Sequence, residues 1–244
     1  MPTAISPTKT YTKTFLCLAN SRKPRGHCVA GRTFNTKNYT DWLRPISTRP
    51  SHEISDGEQQ YADGTNTKLL DLVTVTLSQH QPLWHQTENH VIAPVRWQKV
   101  GHAGWGNVTA ATETVAAPLW HDGDDSFHGK NDKVTEELCK LMNTSLMLIE
   151  PERLTIVVAE ESRWAGGYDR RVRADFTLNG TPYKFVVTDP WIEKKYFALP
   201  DGRYEIPTSR LCLSLPEVHN GIATKLVAAV ITPENVTERG ADDD

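Results

Sequence analysis

Short apolar runs alternate with turn-forming residues over most of this 244-residue chain. Over 170–178 the alternation is strict. Val172, Ala174, Phe176 and Leu178 fall on one side, Arg171, Arg173, Asp175 and Thr177 on the other, as expected for a strand, whose successive side chains point to opposite faces. Asn179-Gly180 then gives a two-residue hairpin signal, and 182–188 pairs back until Asp189-Pro190 stops it. Further strands are predicted over 11–20, 27–33, 41–47, 69–79, 145–149, 154–160, 210–215 and 224–231, with Asn220-Gly221 as another turn. Pro24 and Gly26 make 21–26 a basic, turn-rich loop that joins the first two strands into a hairpin. Only 131–143 carries a helical stripe. Val134, Leu138, Leu141 and Met142 stand at i, i+4, i+7 and i+8, and Asp132, Glu136 and Glu137 crowd the early turns, where the helix dipole favours acids. Residues 51–68 read as a long loop or short helix. The 82–102 stretch reads as irregular, anchored by Trp84, Trp97 and Val100, and 105–127 as polar chain wrapping the first half.

One helix between two β-rich halves predicts a mainly β fold of two tandem OB-like five-stranded barrels with one connecting helix. Residues 11–130 form the first barrel with long wrapping loops, and 131–233 the helix plus the second. Residues 1–10 and 234–244 are read as flexible tails. No strict sequence repeat relates the halves.

With 38% hydrophobic and 23% charged residues, the composition is that of a globular protein. The apolar run 226–231 is too short to cross a bilayer, and the N-terminus lacks the apolar core of a secretory signal. The expectation is a cytoplasmic protein with no membrane partner. Cys17, Cys28, Cys139 and Cys212 form no CxxC pair, which argues for buried thiols rather than a zinc ribbon or redox motif. Whether Cys17 and Cys28 face each other across the first hairpin is left open.

Charge changes the picture more. The net charge is −3, yet residues 1–50 hold nine Lys or Arg against a single acid, Asp41. Such asymmetry marks a focused cationic feature. The candidate binding residues are Arg22, Lys23 and Arg25 in the basic loop, with Arg32, Trp42 and Arg44 on the neighbouring strands. Cations neutralise phosphates, an exposed indole gives a base a stacking platform worth about 1–3 kcal/mol, and arginine adds planar stacking. The amides of Gln86 and Asn89, in the block Gln86-Thr-Glu-Asn89, either read base edges or close a turn. Against this stands the plainer reading of solvated arginines and a core tryptophan.

No cofactor or metal is expected. His80, His85 and His90 are five apart, which suits neither a helical pair nor one strand face. The loop His121-Asp-Gly-Asp-Asp125 resembles a cation loop, but counting from Asp122 the sixth and twelfth positions hold Phe127 and Lys133 rather than Gly and Glu. Asp189 before Pro190 is explained by an Asx-type turn. A second polar hairpin around Gly166-Gly167, with Glu160, Glu161, Arg163, Trp164, Arg170 and Arg171, either lines a groove between the halves or stands exposed. There is no GxSxG, P-loop or HExxH.

The blocks Cys17-Leu-Ala-Asn-Ser-Arg-Lys23, Cys28-Val-Ala-Gly31, Trp42-Leu-Arg-Pro-Ile-Ser47, Gln86-Thr-Glu-Asn89, Trp97-Gln-Lys-Val-Gly101, Val187-Thr-Asp-Pro190 and residues 220–231 together resemble the dual OB-containing domain family of prokaryotic proteins. The resemblance runs from about Lys13 to Ile231. It implies two OB-like barrels and a bacterial protein of the kind proposed to recognise nucleic acids or nucleotides in defence settings. It carries over no catalytic residues. The resulting expectation is a non-catalytic protein that binds nucleic acid, single strands favoured, or a nucleotide, as a sensor or accessory component of a prokaryotic defence system. Two alternatives stand beside it. One is a metal-dependent or acid–base hydrolase of nucleic acid or nucleotides, using Asp189 or the 122–125 loop. The other is an adaptor that regulates an effector protein encoded nearby.

Overall fold

The computed structural model describes residues 9–35, 38–163 and 165–241. The first half holds β1 (Tyr11–Lys23), β2 (Gly26–Phe34), β3 (Tyr39–Ile46), β4 (Asp71–His80), β5 (Asn89–Ile92), β6 (Gln98–His102) and α1 (Trp105–Ala111). The second holds β7 (Lys133–Thr135), α2 (Glu136–Cys139), β8 (Leu146–Ile149), β9 (Arg153–Ser162), β10 (Tyr168–Leu178), β11 (Thr181–Val187), α3 (Pro190–Phe197), β12 (Gly202–Ile206), β13 (Arg210–Ser214), β14 (Ile222–Thr224), β15 (Leu226–Ile231) and α4 (Pro233–Ala241). No helix among the described residues is long and apolar enough to cross a membrane.

The fold is mainly β, and its two large sheets are wired alike. In the first, β1, β2 and β3 form an antiparallel meander, β3 runs parallel to β5, β5 pairs with β4, and β4 returns to β1. Strand β1 is long enough to serve both neighbours: Tyr11 to Leu16 pair with β4, and Phe15 to Lys23 with β2. The sheet therefore curls into a partial ring. In the second sheet β9, β10 and β11 form the meander, β11 runs parallel to β15, and β15 pairs with β13, which pairs with β8. Strands β8 and β9 flank Pro151 and together do what β1 does alone. The same order of pairings thus recurs without a repeated sequence.

Strand β1 also explains how the halves are joined. Phe15 and Cys17 face the core of the first sheet, with Val73, Val75, Leu77 and Trp97. Leu16 and Leu18 face the other way, into a cluster shared with Leu146, Leu148, Cys212, Ala229 and Ile231 of the second half. A strand covered on both faces reads as a continuous apolar run, which is what residues 15–19 are. Each fully buried side chain of this size contributes about 1.5–3 kcal/mol, so the seam is core rather than surface contact. The backbone crosses it too, where the Arg22 amide donates to the Thr188 carbonyl at 2.9 Å. The second sheet has its own core of Ile156, Phe176, Tyr183 and Phe185.

Several expectations need correction. The basic loop is not a loop: β1 and β2 run on through it, with Arg22 opposite His27 and Lys23 opposite Gly26. Only Pro24 and Arg25 turn, Arg25 at φ 68°. The helix read over 131–143 shrinks to the single turn of α2. Val134 is claimed by pairing with Ala223, Thr135 caps the turn, and Leu141 stays exposed. The irregular stretch 82–102 contains β5 and β6. Residues 115–130 lie against the second half rather than the first, and Glu113 touches both. The Glu113 amide donates to the Leu148 carbonyl at 2.8 Å, and Leu119 sits in the second core. Asp189, with Pro190 behind it, caps α3 rather than merely closing a turn. Of the residues read as a C-terminal tail, 234–241 belong to a helix, and Arg239 reaches Asp189 at 2.7 Å. Cys17 and Cys28 do not face each other; their partners across the hairpin are Gly31 and Ser21. Residues 1–8, part of the expected leader, and Trp164 lie outside the described residues.

Candidate ligand cleft between the two halves

Four of the eight residues singled out in the sequence, Arg22, Lys23, Arg44 and Gln86, line one cleft of about 290 Å³ between the halves. The end of the β1–β2 hairpin and the end of β3 form one wall. Ser214 and the 216–219 loop of the second half form the other. This volume lies at the small end of the range for ligand sites, about 300–1,000 Å³.

None of the hairpin cations near the cleft stands free as the sequence expected. Arg22 makes a two-bond contact with Glu193 of α3, at 2.9 and 3.1 Å, and Lys23 Nζ lies 3.1 Å from Glu217. Both pairs cross from one half to the other. Arg44 is buried. Its Nη1 lies 3.1 Å from Glu88, its Nη2 donates to Ser214 at 3.5 Å, and its Nε has no hydrogen-bond partner among the described residues. The carboxylates paired with Arg22 and Arg44 are absent from the cleft wall, whose charged members are Arg22, Lys23, Arg44 and Glu217. Each of the three cations thus carries its own carboxylate, and His52 and His219 complete the polar part of the lining.

The other sequence candidates lie elsewhere. Arg32 pairs with Glu113 at 2.9 Å and stands over the Trp42 ring at 5.6 Å, while Trp42 Nε1 donates to the same carboxylate at 3.1 Å. Trp42 is half-buried against the shared seam, though it also lines a separate groove of about 680 Å³ with Tyr11, Lys13, His80 and His90. The expected wall of free guanidinium groups and an open indole is thus replaced by ion pairs and packing. Arg25 is exposed at the turn, outside the cleft. Asn89 is buried, with its Nδ2 donating to Gln86 Oε1 at 3.2 Å, and Gln86 Nε2 donates to the Leu215 carbonyl at 3.4 Å. Both amides serve the fold, so the base-reading role expected of them has no free amide group behind it except the Asn89 carbonyl oxygen, which is sealed inside.

Sequence reading missed His52, Ser214, Glu217 and His219. They come from two connections and a strand with no motif, and only folding gathers them. His52 lies in the 47–70 connection. Its amide donates to the Arg49 carbonyl at 2.9 Å, and Arg49 in turn holds Glu53 and Glu58.

The acids offered for catalysis have structural work. Asp189 is buried; one oxygen caps α3 through the Trp191 and Ile192 amides, and the other accepts from Val230 and Arg239. In the acidic loop, Asp122 accepts from Tyr183 at 2.7 Å and Asp125 from the Asn131 amide at 2.6 Å. That loop is organised around an internal ammonium. Lys225, fully buried, donates to the carbonyls of His121 and Asn131, lies 3.5 Å from Asp122, and stands over the rings of Tyr183 and Phe185. Burial pulls its pKa down to about 8, against the opposing pull of Asp122 and Asp132. Among the described residues no group of three His, Cys, Asp or Glu side chains could hold a metal ion. His80 and His90 stack at 4.5 Å; burial, Lys13 and His80 lower the His90 pKa to about 4. The thiols of Cys17, Cys139 and Cys212 are all raised by burial, so none is poised as a nucleophile.

Nothing among curated proteins and nothing among solved structures matches this chain. The family model described as "Dual OB-containing domain" matches residues 13–230. With two sheets wired in the same order and most of the sequence matched, the chain belongs to the dual OB-containing domain family.

Proposed function

We propose that this protein binds a nucleotide or a short element of nucleic acid in the cleft between its halves, without chemistry on the ligand. The reading is carried by one observation: Arg22, Lys23 and Arg44, chosen from sequence for phosphate binding, converge on a single small cleft. OB-like sheets commonly present nucleic-acid sites, and each half is read as one such unit. The volume favours one nucleotide over a run of stacked bases. The cations serve twice, as ties between the halves and as donors to an anion. A role as sensor or accessory component of a prokaryotic defence system rests on the family resemblance alone.

Fluorescence anisotropy with labelled nucleotides and short single strands, over a salt series, tests the reading. Binding is expected at low salt, weakening as salt rises, and is expected to be lost in Arg22→Glu/Lys23→Glu. Arg25→Glu, outside the cleft, leaves it intact. No binding at low salt, or equal loss in both variants, overturns the proposal. Recovery of the ligand chemically changed would favour the hydrolase instead.

A further inference from the structure

The cleft already contains an anion of the protein's own. Glu217 Oε1 lies 3.1 Å from Lys23 Nζ and 3.1 Å from His52 Nδ1. One oxygen thus meets two donor groups from two separate segments of the first half, while its own carboxylate comes from the second. A single oxygen held by convergent nitrogens is the arrangement used to seat a phosphate or carboxylate ligand. His52 stands at φ 55°, in the left-handed region that few residues other than glycine adopt.

The surroundings let Glu217 leave. All three side chains keep part of their surface in water. The segment is fixed on either side of Glu217 but not at it. The Leu215 amide donates to the Ser145 carbonyl at 2.8 Å, the Pro216 carbonyl and His85 Nε2 are 3.0 Å apart, and His219 bridges to Ile222. A rotamer change at Glu217 frees the pair of donors without unfolding the loop. The rest of the lining includes the apolar Pro24, Pro45, Ile46 and Leu226 and the buried Arg44, whose Nε is unpartnered among the described residues.

We infer that Lys23 and His52 are the anion subsite of the cleft, that Glu217 occupies it in the free protein, and that the ligand is a terminal phosphate monoester carried on a flat ring. The inference rests on the cleft reading proposed above. It names the end of the ligand that the cleft recognises, and Glu217 as the internal competitor that a ligand must displace. A nucleoside 5′-monophosphate and the 5′-phosphorylated end of a strand share this chemistry.

The experiment titrates wild type, Glu217→Gln and Glu217→Gln/Lys23→Ala with adenosine 5′-monophosphate, adenosine, and a short single strand with and without a 5′-phosphate. Glu217→Gln removes the competing charge and keeps the shape, so phosphate-bearing probes are expected to bind roughly tenfold tighter, the worth of one charge-assisted hydrogen bond. Adenosine and the unphosphorylated strand show no gain, and Lys23→Ala abolishes the gain. Preference between the monophosphate and the phosphorylated strand separates the two sources. If Glu217→Gln folds poorly, Glu217→Asp, one methylene short of the donors, serves the same comparison. Wild-type binding that Arg22→Glu/Lys23→Glu removes but Glu217→Gln leaves unchanged or weakens overturns this inference and spares the cleft. No binding of any probe by any form overturns both.

Discussion

Replacing Lys225 by Met tests whether an ammonium is held inside against its own preference. Lys225 is fully buried, and its pKa falls from 10.5 to about 8 because burial disfavours the charge more than Asp122, Asp132 and Asp124 favour it. Between these two values the unfolded chain carries the proton and the folded chain does not. Raising the pH through that window therefore favours the fold. The gap corresponds to about 3 kcal/mol. Other groups act in the opposite sense at alkaline pH: the Cys17 and Cys212 thiols and the Tyr61 and Tyr183 hydroxyls are raised by burial, so their contribution is lost as pH rises. Comparison with Lys225→Met, which titrates nothing there, subtracts them. Urea unfolding followed by tryptophan fluorescence, from about pH 7 to about pH 11, gives the stability difference between wild type and variant. That difference is expected to move in favour of wild type by about 3 kcal/mol across the range. A flat difference, or one that moves against wild type, would refute the reasoning.

Two further outcomes concern packing. Arg44→Met alone strands the buried Glu88 and is expected to cost about 3–5 kcal/mol in urea unfolding, whereas Arg44→Met with Glu88→Met regains most of it; strictly additive losses would show that the pair is not coupled. Gly31→Ala is expected to cost about 3 kcal/mol or more, because the new Cβ would lie 1.8 Å from the Leu16 carbonyl oxygen. Gly180→Ala, with open space around it but φ +73°, should cost about 1 kcal/mol, and equal losses at the two sites would contradict the geometry.

Local signals were readable because they are local. The strict alternation of 170–178 became β10, and both Asn-Gly pairs became turns with positive φ at Asn179, Gly180, Asn220 and Gly221. The run Phe15 to Ala19 was legible as a strand, and its two-sided burial could have been inferred from the lack of alternation. Pairing partners were not legible. Arg22 meets Glu193 and Lys23 meets Glu217, and no spacing in the sequence joins residues so far apart. This is why an apparently free cationic segment became a set of crossings between halves. The stripe over 131–143 failed for a related reason: Val134 found a strand partner in Ala223, and long-range pairing overrides a short helical preference. Of the site, the sequence supplied the cations on one wall; the facing carboxylate and histidines came only with the fold.

The common apolar filling contributed by Leu16 and Leu18 on one side and Leu146, Leu148 and Ile231 on the other has a consequence for how the protein can be divided. Neither half owns a complete interior. Severed from its mate, each would show water a greasy flank and lose one wall of the cleft, so the recognition proposed for that cleft would require the joined chain rather than either module.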